Sequence, residues 1–284
     1  MKSVHIPVRV VGAGSQPDEE PLQYLDMPKH MDTFSMPIVP ADADAAALAS
    51  ARDLLERFTE SLGASVDVGS RKPVAVDLMG SDEATLDVVN QMLGEGEVSI
   101  KLEGARRALI QESVFAGVWR VCELDAADRL IGDWIEASAI PRIVIETAHG
   151  ATRVGPSEVT FGEGAMNSPA LVAEIAERVA AKRPGEEAHV VNLTLFPLTP
   201  EDHRALERAL PVGPAAIISS GFGNCRVTST LTRDVWRVQY FNNMNTLILN
   251  TIEIVDIPSV AVAAPEDLAD SRTRLVELIA WMNE

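Results

Sequence analysis

Val118-Trp119-Arg120-Val121 recurs as Val235-Trp236-Arg237-Val238, 117 residues further along the chain. Held without a gap, that offset aligns Leu93 with Leu210, Gly96 with Gly213, Ile100 with Ile217 and Gly104 with Gly221. Beyond the Trp run it aligns Leu130-Ile131 with Leu247-Ile248, Ile135-Glu136 with Ile252-Glu253, and Ile140-Pro141 with Ile257-Pro258. Fourteen of the 49 positions from 93 to 141 are identical, against roughly three expected from average residue usage. The chain reads as two tandem copies of one unit.

The content of the unit follows from local pattern. Val74, Val76 and Leu78 alternate as Val191, Leu193 and Leu195 do, which is strand period. A helix start comes next in each copy. Ser81 or Asp82 caps the first; Thr199, Pro200 and Asp202 open the second. These helices run from about 83 to 93 and 200 to 210, each ending near a glycine, Gly94 or Gly213. Four β-type runs follow, near 97–102, 107–114, 117–124 and 129–137, with partners near 214–219, 225–231, 234–241 and 246–255. Asp125–Asp128 and Asn242–Asn245 carry hairpin-turn chemistry. An amphipathic helix precedes each copy, through Leu54, Leu55, Phe58 and Leu62 in the first and Leu171, Ile175 and Val179 in the second. The fold class is α+β: two tandem α-β-α-β-β-β-β units with largely antiparallel sheets, expected to be related by a pseudo-two-fold axis. The expected organisation is an extended arm over 1–47, a first repeat over 48–144, a linker over 145–166 and a second repeat over 167–284 that ends in a helix over 266–283.

Composition narrows the function. The 284 residues are 46% hydrophobic and carry 24 Lys and Arg against 42 Asp and Glu, a formal charge of −18. That balance argues against general nucleic-acid binding and against docking on anionic lipid. It suits partners that are neutral or basic. Two cysteines, Cys122 and Cys225, make neither a disulfide scaffold nor a self-contained zinc ribbon. No apolar run approaches a membrane span and no signal-peptide core is evident, so the expected location is the cytoplasm.

Duplication supplies an internal control. Features shared by both copies read as scaffold; features of one copy read as candidate function. The Trp residues are expected in the core, with Arg120 pairing Glu136 and Arg237 pairing Glu253 across neighbouring strands. The copies diverge most after Gly104 and Gly221. There the second has Gly221-Phe222-Gly223-Asn224-Cys225-Arg226 in place of Gly104-Ala105-Arg106-Arg107-Ala108-Leu109. Two glycines let a partner approach the backbone, and Arg226 beside Cys225 is placed to lower the thiol pKa. A glycine turn leading a buried cysteine into a strand fits the same residues. The Pro-rich stretch with Met27, His30, Met31, Phe34 and Met36 offers adaptable apolar surface, or soft ligands alongside His30, or an arm packed on its own domain. Phosphate loops, nucleophile elbows and His-Glu-x-x-His spacing are absent, and no enzymatic constellation is expected.

The second half resembles the C-terminal region of the HupH/HyaF/HoxQ family of hydrogenase expression proteins. The residues that carry the resemblance are Asn192–Leu195, Leu198–Asp202, Gly221–Arg226, Val235–Asn242, Leu247–Thr251, Ile257-Pro258 and Pro265–Leu268, with Gln111–Arg120 in the first half and the Met-rich arm. Ser220 and Phe222 depart from the Arg and Tyr that the resemblance leads one to expect at these positions. The resemblance implies a non-enzymatic accessory chaperone in [NiFe] uptake hydrogenase maturation. Its implied client is the iron–sulfur small subunit before twin-arginine export, with a HupG/HoxO-type accessory protein as a further partner. Nickel incorporation is the alternative the family offers. No cofactor and no metal site is expected. The client is expected to dock around Gly221–Arg226 and strand 234–241, including Gln239 and Tyr240, by strand addition to a sheet edge and with help from Met27, Met31 and Met36.

Overall fold

The computed structural model describes residues 37, 44–67, 73–150, 152–220 and 223–282, with backbone alone for 64–67. Gly221, Phe222, Met27, Met31 and Met36 lie outside the described residues.

The first half runs α1 (Ala45–Asp67), β1 (Val74–Asp77), α2 (Glu83–Leu93), β2 (Val98–Leu102), β3 (Arg107–Glu112), β4 (Val118–Leu124) and β5 (Leu130–Ala137). Helix α3 (Arg142–Gly150) follows. The second half runs α4 (Ser168–Ala181), β6 (His189–Asn192), α5 (Pro200–Ala209), β7 (Val212–Ser219), β8 (Asn224–Thr230), β9 (Val235–Phe241), β10 (Leu247–Ile254) and α6 (Pro265–Trp281). The protein is α+β with an antiparallel sheet and six helices among the described residues.

All ten strands form one sheet in the order β1-β5-β4-β3-β2-β7-β8-β9-β10-β6, and every neighbouring pair is antiparallel. The join is β2 against β7, where Ile100 pairs with Ile217. Residues 117 apart thus face each other at the centre of the sheet.

Local chemistry sets the boundaries. Asp82 accepts the Thr85 N–H at 2.8 Å and caps α2, and Gly94 ends it at φ +61°, where Val114 leaves no room for a Cβ. Thr199 and Asp202 form a capping box that opens α5. The β4–β5 and β9–β10 turns match in detail. Asp125 accepts from the N–H of Ala127 and Arg129, Asn242 from those of Met244 and Thr246, and Asp128 and Asn245 take φ +58° and +59°.

Strand alternation divides the core between the two faces. On one face Val118 and Ile135 pack beneath α1, α2 and α6, while Val235, Ile252 and Ile254 pack beneath α4 and α5. The opposite face carries a core common to both halves. Ile100, Trp119, Val121, Ile217, Trp236 and Val238 meet there beneath α3 and the 3₁₀ turn Ser259–Ala261. Trp119 and Trp236 are both buried, as their alternation predicts.

Three local expectations are corrected. The segment expected as a linker begins inside α3, because Ile143, Val144, Thr147 and Ala148 recur at helical spacing and are buried. The alternation through Val191, Leu193 and Leu195 does not continue as a strand. The Asn192 side chain accepts the Thr194 N–H at 3.0 Å and turns Leu193–Leu195 into a 3₁₀ turn, leaving Leu195 exposed. Arg120 does not pair Glu136: Trp119 stands opposite Glu136, so the neighbouring Arg120 points to the other face and pairs Asp133. Arg237 likewise bonds Asn250 rather than Glu253.

Candidate functional site

Among the described residues, no helix packs over the central strands on the face that carries α1, α2, α4, α5 and α6. The floor there is read from register. One row runs Gln111–Ser99–Ile218–Arg226–Gln239, the next Leu109–Lys101–Ala216–Thr228, which continues to Arg237 beneath α5. Ala216 is exposed; Ser99, Lys101, Leu109, Gln111, Ile218, Arg226, Thr228 and Gln239 are half-buried. The floor is mixed in chemistry. Lys101 pairs Glu103 at 2.6 Å, and the Arg226 guanidinium lies over the Phe241 ring, 5.6 Å from its centroid. Its mixed polarity suits a polypeptide segment laid across the strands.

The predicted site residues divide between the two faces. Arg226 and Gln239 are opposite one another on the floor. Cys225 and Tyr240 pair on the other face, with Cys225 inside the shared core and Tyr240 packed against it. Burial pushes the Cys225 thiol up to about 11, against a hydrogen bond with Tyr240 that pulls it down. Burial, together with the thiol, pushes the Tyr240 phenol up to about 12. The expectation that Arg226 activates the thiol is therefore corrected: successive strand residues point to opposite faces, and the thiol is held neutral. Asn224 begins β8, and Gly223 precedes it at φ +92° with open space where a Cβ would stand. Docking by strand addition at 234–241 is corrected as well. β9 is hydrogen-bonded on both sides, and among the described residues the edge strands are β1 and β6.

Comparison at the 117 offset sharpens the contrast. Where the second half has Gly223 and Tyr240, the first has Arg106 and Glu123, joined by two hydrogen bonds of 2.7 and 2.9 Å, with Arg106 also reaching Glu146 of α3 at 3.0 Å. The first half closes this end of the sheet with ion pairs; at the matching position the second has Gly223. The Trp pair differs too. Trp119 Nε1 donates to the Ser138 carbonyl at 2.9 Å, while Trp236 Nε1 is buried without a partner among the described residues.

Three features escaped the sequence reading. Ala216 and Thr228, at the centre of the floor, carry no chemical signal and emerge only from register. Asp202 was legible as a helix-start acid, but its span was not. Its Oδ1 accepts from the backbone of Met166, Asn167 and Ser168 and from the Ser168 hydroxyl, so it holds the start of α4 as well as α5. The half-buried Arg237 was visible as part of the Trp run; the cavity beside it was not. Among the described residues, no group of three or more His, Cys, Asp or Glu is placed to hold a metal ion. No described helix is long and apolar enough to cross a membrane.

Fold and floor together define an α+β protein built around one antiparallel sheet whose central surface, among the described residues, carries no helix. The chain belongs to the HupH hydrogenase expression protein family, whose C-terminal conserved region matches residues 48–152 and 165–282. It is 40% identical over 287 residues to the hydrogenase expression/formation protein HoxQ of Cupriavidus necator, covering 99% of each chain. It is 38% identical to the hydrogenase expression/formation protein HupH of Rhodobacter capsulatus, covering 98% of each. It is 29% identical to the hydrogenase-1 operon protein HyaF of Escherichia coli, covering 97% of this chain and 96% of that one.

Proposed function

We propose that the chain is a non-enzymatic accessory chaperone in the maturation of a [NiFe] uptake hydrogenase. In this reading it works in the cytoplasm and holds the iron–sulfur small subunit before twin-arginine export, beside a HupG/HoxO-type partner. Family membership supports the hydrogenase assignment. The observation that carries the chaperone reading is the floor of the central strands that no described helix covers, with Arg226 and Gln239 at its second-half side. A basic client segment is drawn to a chain of formal charge −18, so binding weakens as salt screens exposed charge.

We also infer that the halves are copies related by a pseudo-two-fold axis through the Ile100–Ile217 pair. The support is register: Trp119–Glu136 and Trp236–Glu253, and Ile100–Ile110 and Ile217–Val227, are paired alike.

The test is titration of purified small-subunit precursor into the parent and into Ala216→Trp. Ala216 is exposed in a strand, where Trp is well accommodated and blocks the floor without entering the core. The expected result is a parent complex weakened at least about tenfold by the substitution, or 1.4 kcal/mol. A folded Ala216→Trp that binds as the parent does moves the docking site elsewhere. A parent that binds no small subunit overturns the chaperone reading.

A further inference from the structure

The chain ahead of α1 is long, apolar and acidic. Residues 18–42, of which the structure describes Pro37 alone, hold Leu22, Leu25, Met27, Met31, Phe34 and Met36, with six carboxylates against one lysine. Pro37 is half-buried rather than exposed. The segment joins the body at α1, whose Ala47 and Leu48 pack in the core over the first half. That core lies on the face that carries the floor, so the segment arrives on the floor's own side of the sheet. Reach is ample. A segment of this length extends to roughly 80 Å, and the strands β3, β2, β7 and β8 together span about 15 Å.

The floor matches the segment in chemistry. Leu109, Ala216 and Ile218 offer apolar contact at its centre. The strand positions that face it on β2, β3, β7 and β8 carry Lys101, Arg107 and Arg226 and no acidic side chain, in a chain of formal charge −18. Just beyond the strand ends, Glu103 pairs Lys101 at 2.6 Å and Asp128 pairs Arg107 at 2.7 Å. Both acids are exposed, so water screens these pairs and leaves them exchangeable. A second copy laid on this floor brings like charge to like; an apolar segment rich in carboxylates brings the opposite sign.

We propose that residues 18–42 lie across the floor as its resident cover, and that a client takes the floor by exchange with them. The contact stands by itself; the exchange rests on the chaperone reading above. On release, the carboxylates of the segment are free to pair with a basic client, so a single step opens the floor and supplies charge beside it.

The test places a nitroxide on the segment of the full chain. Cys122 and Cys225 are buried, so the reagent goes to the thiol of Ser35→Cys. The amides of Lys101, Ala216 and Thr228 are expected to lose NMR intensity to the spin label, while those of α3 and β6 keep theirs. Unchanged floor amides, or equal loss throughout, overturns the contact. Spin-labelled chain mixed with isotope-enriched parent is the second arm; loss at the floor in that mixture assigns the occupant to a second copy and overturns the proposal. Purified small-subunit precursor is then added to the labelled chain, and recovery of the floor signals is expected. A complex that forms without recovery overturns the exchange. A precursor that does not bind overturns the chaperone reading, and the exchange with it, and leaves the contact standing.

Discussion

Asp202 shows how much one carboxylate can hold. Burial alone would raise its pKa, but the N–H groups of Ser168, Thr199 and Asn167 outweigh burial and keep it well below the usual range. Asp202→Ala strips donors at two helix starts and is expected to cost about 3 kcal/mol or more, read by urea denaturation. Glu112 works in the opposite direction. It is buried, accepts the Gly117 N–H at 2.9 Å, and is pushed by burial up to about 7. The folded state then holds a proton that the unfolded chain releases near 4.5. Stability from this group is greatest at low pH and falls as pH rises through 4.5 to about 7, by on the order of 3 kcal/mol. Glu112→Gln should abolish that difference; a parent and variant with parallel pH profiles would refute it. The Trp pair gives a third expectation. Trp119→Phe breaks a hydrogen bond and orphans the Ser138 carbonyl, while Trp236→Phe removes an unpaired donor. Trp119→Phe should cost more by about 1–2 kcal/mol.

Elements were legible where their signal is local. Strand alternation and turn chemistry located the β3–β5 and β8–β10 meanders to within a few residues, and Thr199-Pro200 located α5. What was not legible depends on partners distant in sequence. Period 2 says that Cys225 and Arg226 face opposite ways, but not which face a helix covers. The reading of 225–226 as one reactive patch failed on that point. The β2–β7 join also carries no local mark, since an antiparallel edge accepts any strand of matching hydrophobicity. Helix α6 is the clearest case. A helix was expected over 266–283, yet nothing local says that Leu275, Leu278 and Met282 pack with Leu55 and Phe58 of α1. Leu275→Ala removes a fully buried side chain from that contact and should cost 2–5 kcal/mol by denaturant titration. A cost near zero would mean that α6 does not hold the first half together.

At the scale of the molecule, the sheet and α6 bind the halves into one body. The shared core beneath α3 draws on both, so neither half can expose its side of that face while the other stays folded. Calorimetry should record one transition, with calorimetric and van't Hoff enthalpies in agreement; two resolved transitions would show independent halves. The return of α6 to α1 has a consequence for synthesis. The core over the first half includes side chains between 275 and 282, so on the ribosome that half stays open until residues at the far end of the chain have left the exit tunnel. Its apolar surface is carried unburied through translation of the whole second half. A protein that we propose shelters an unfinished client is, while it is being made, itself in need of shelter.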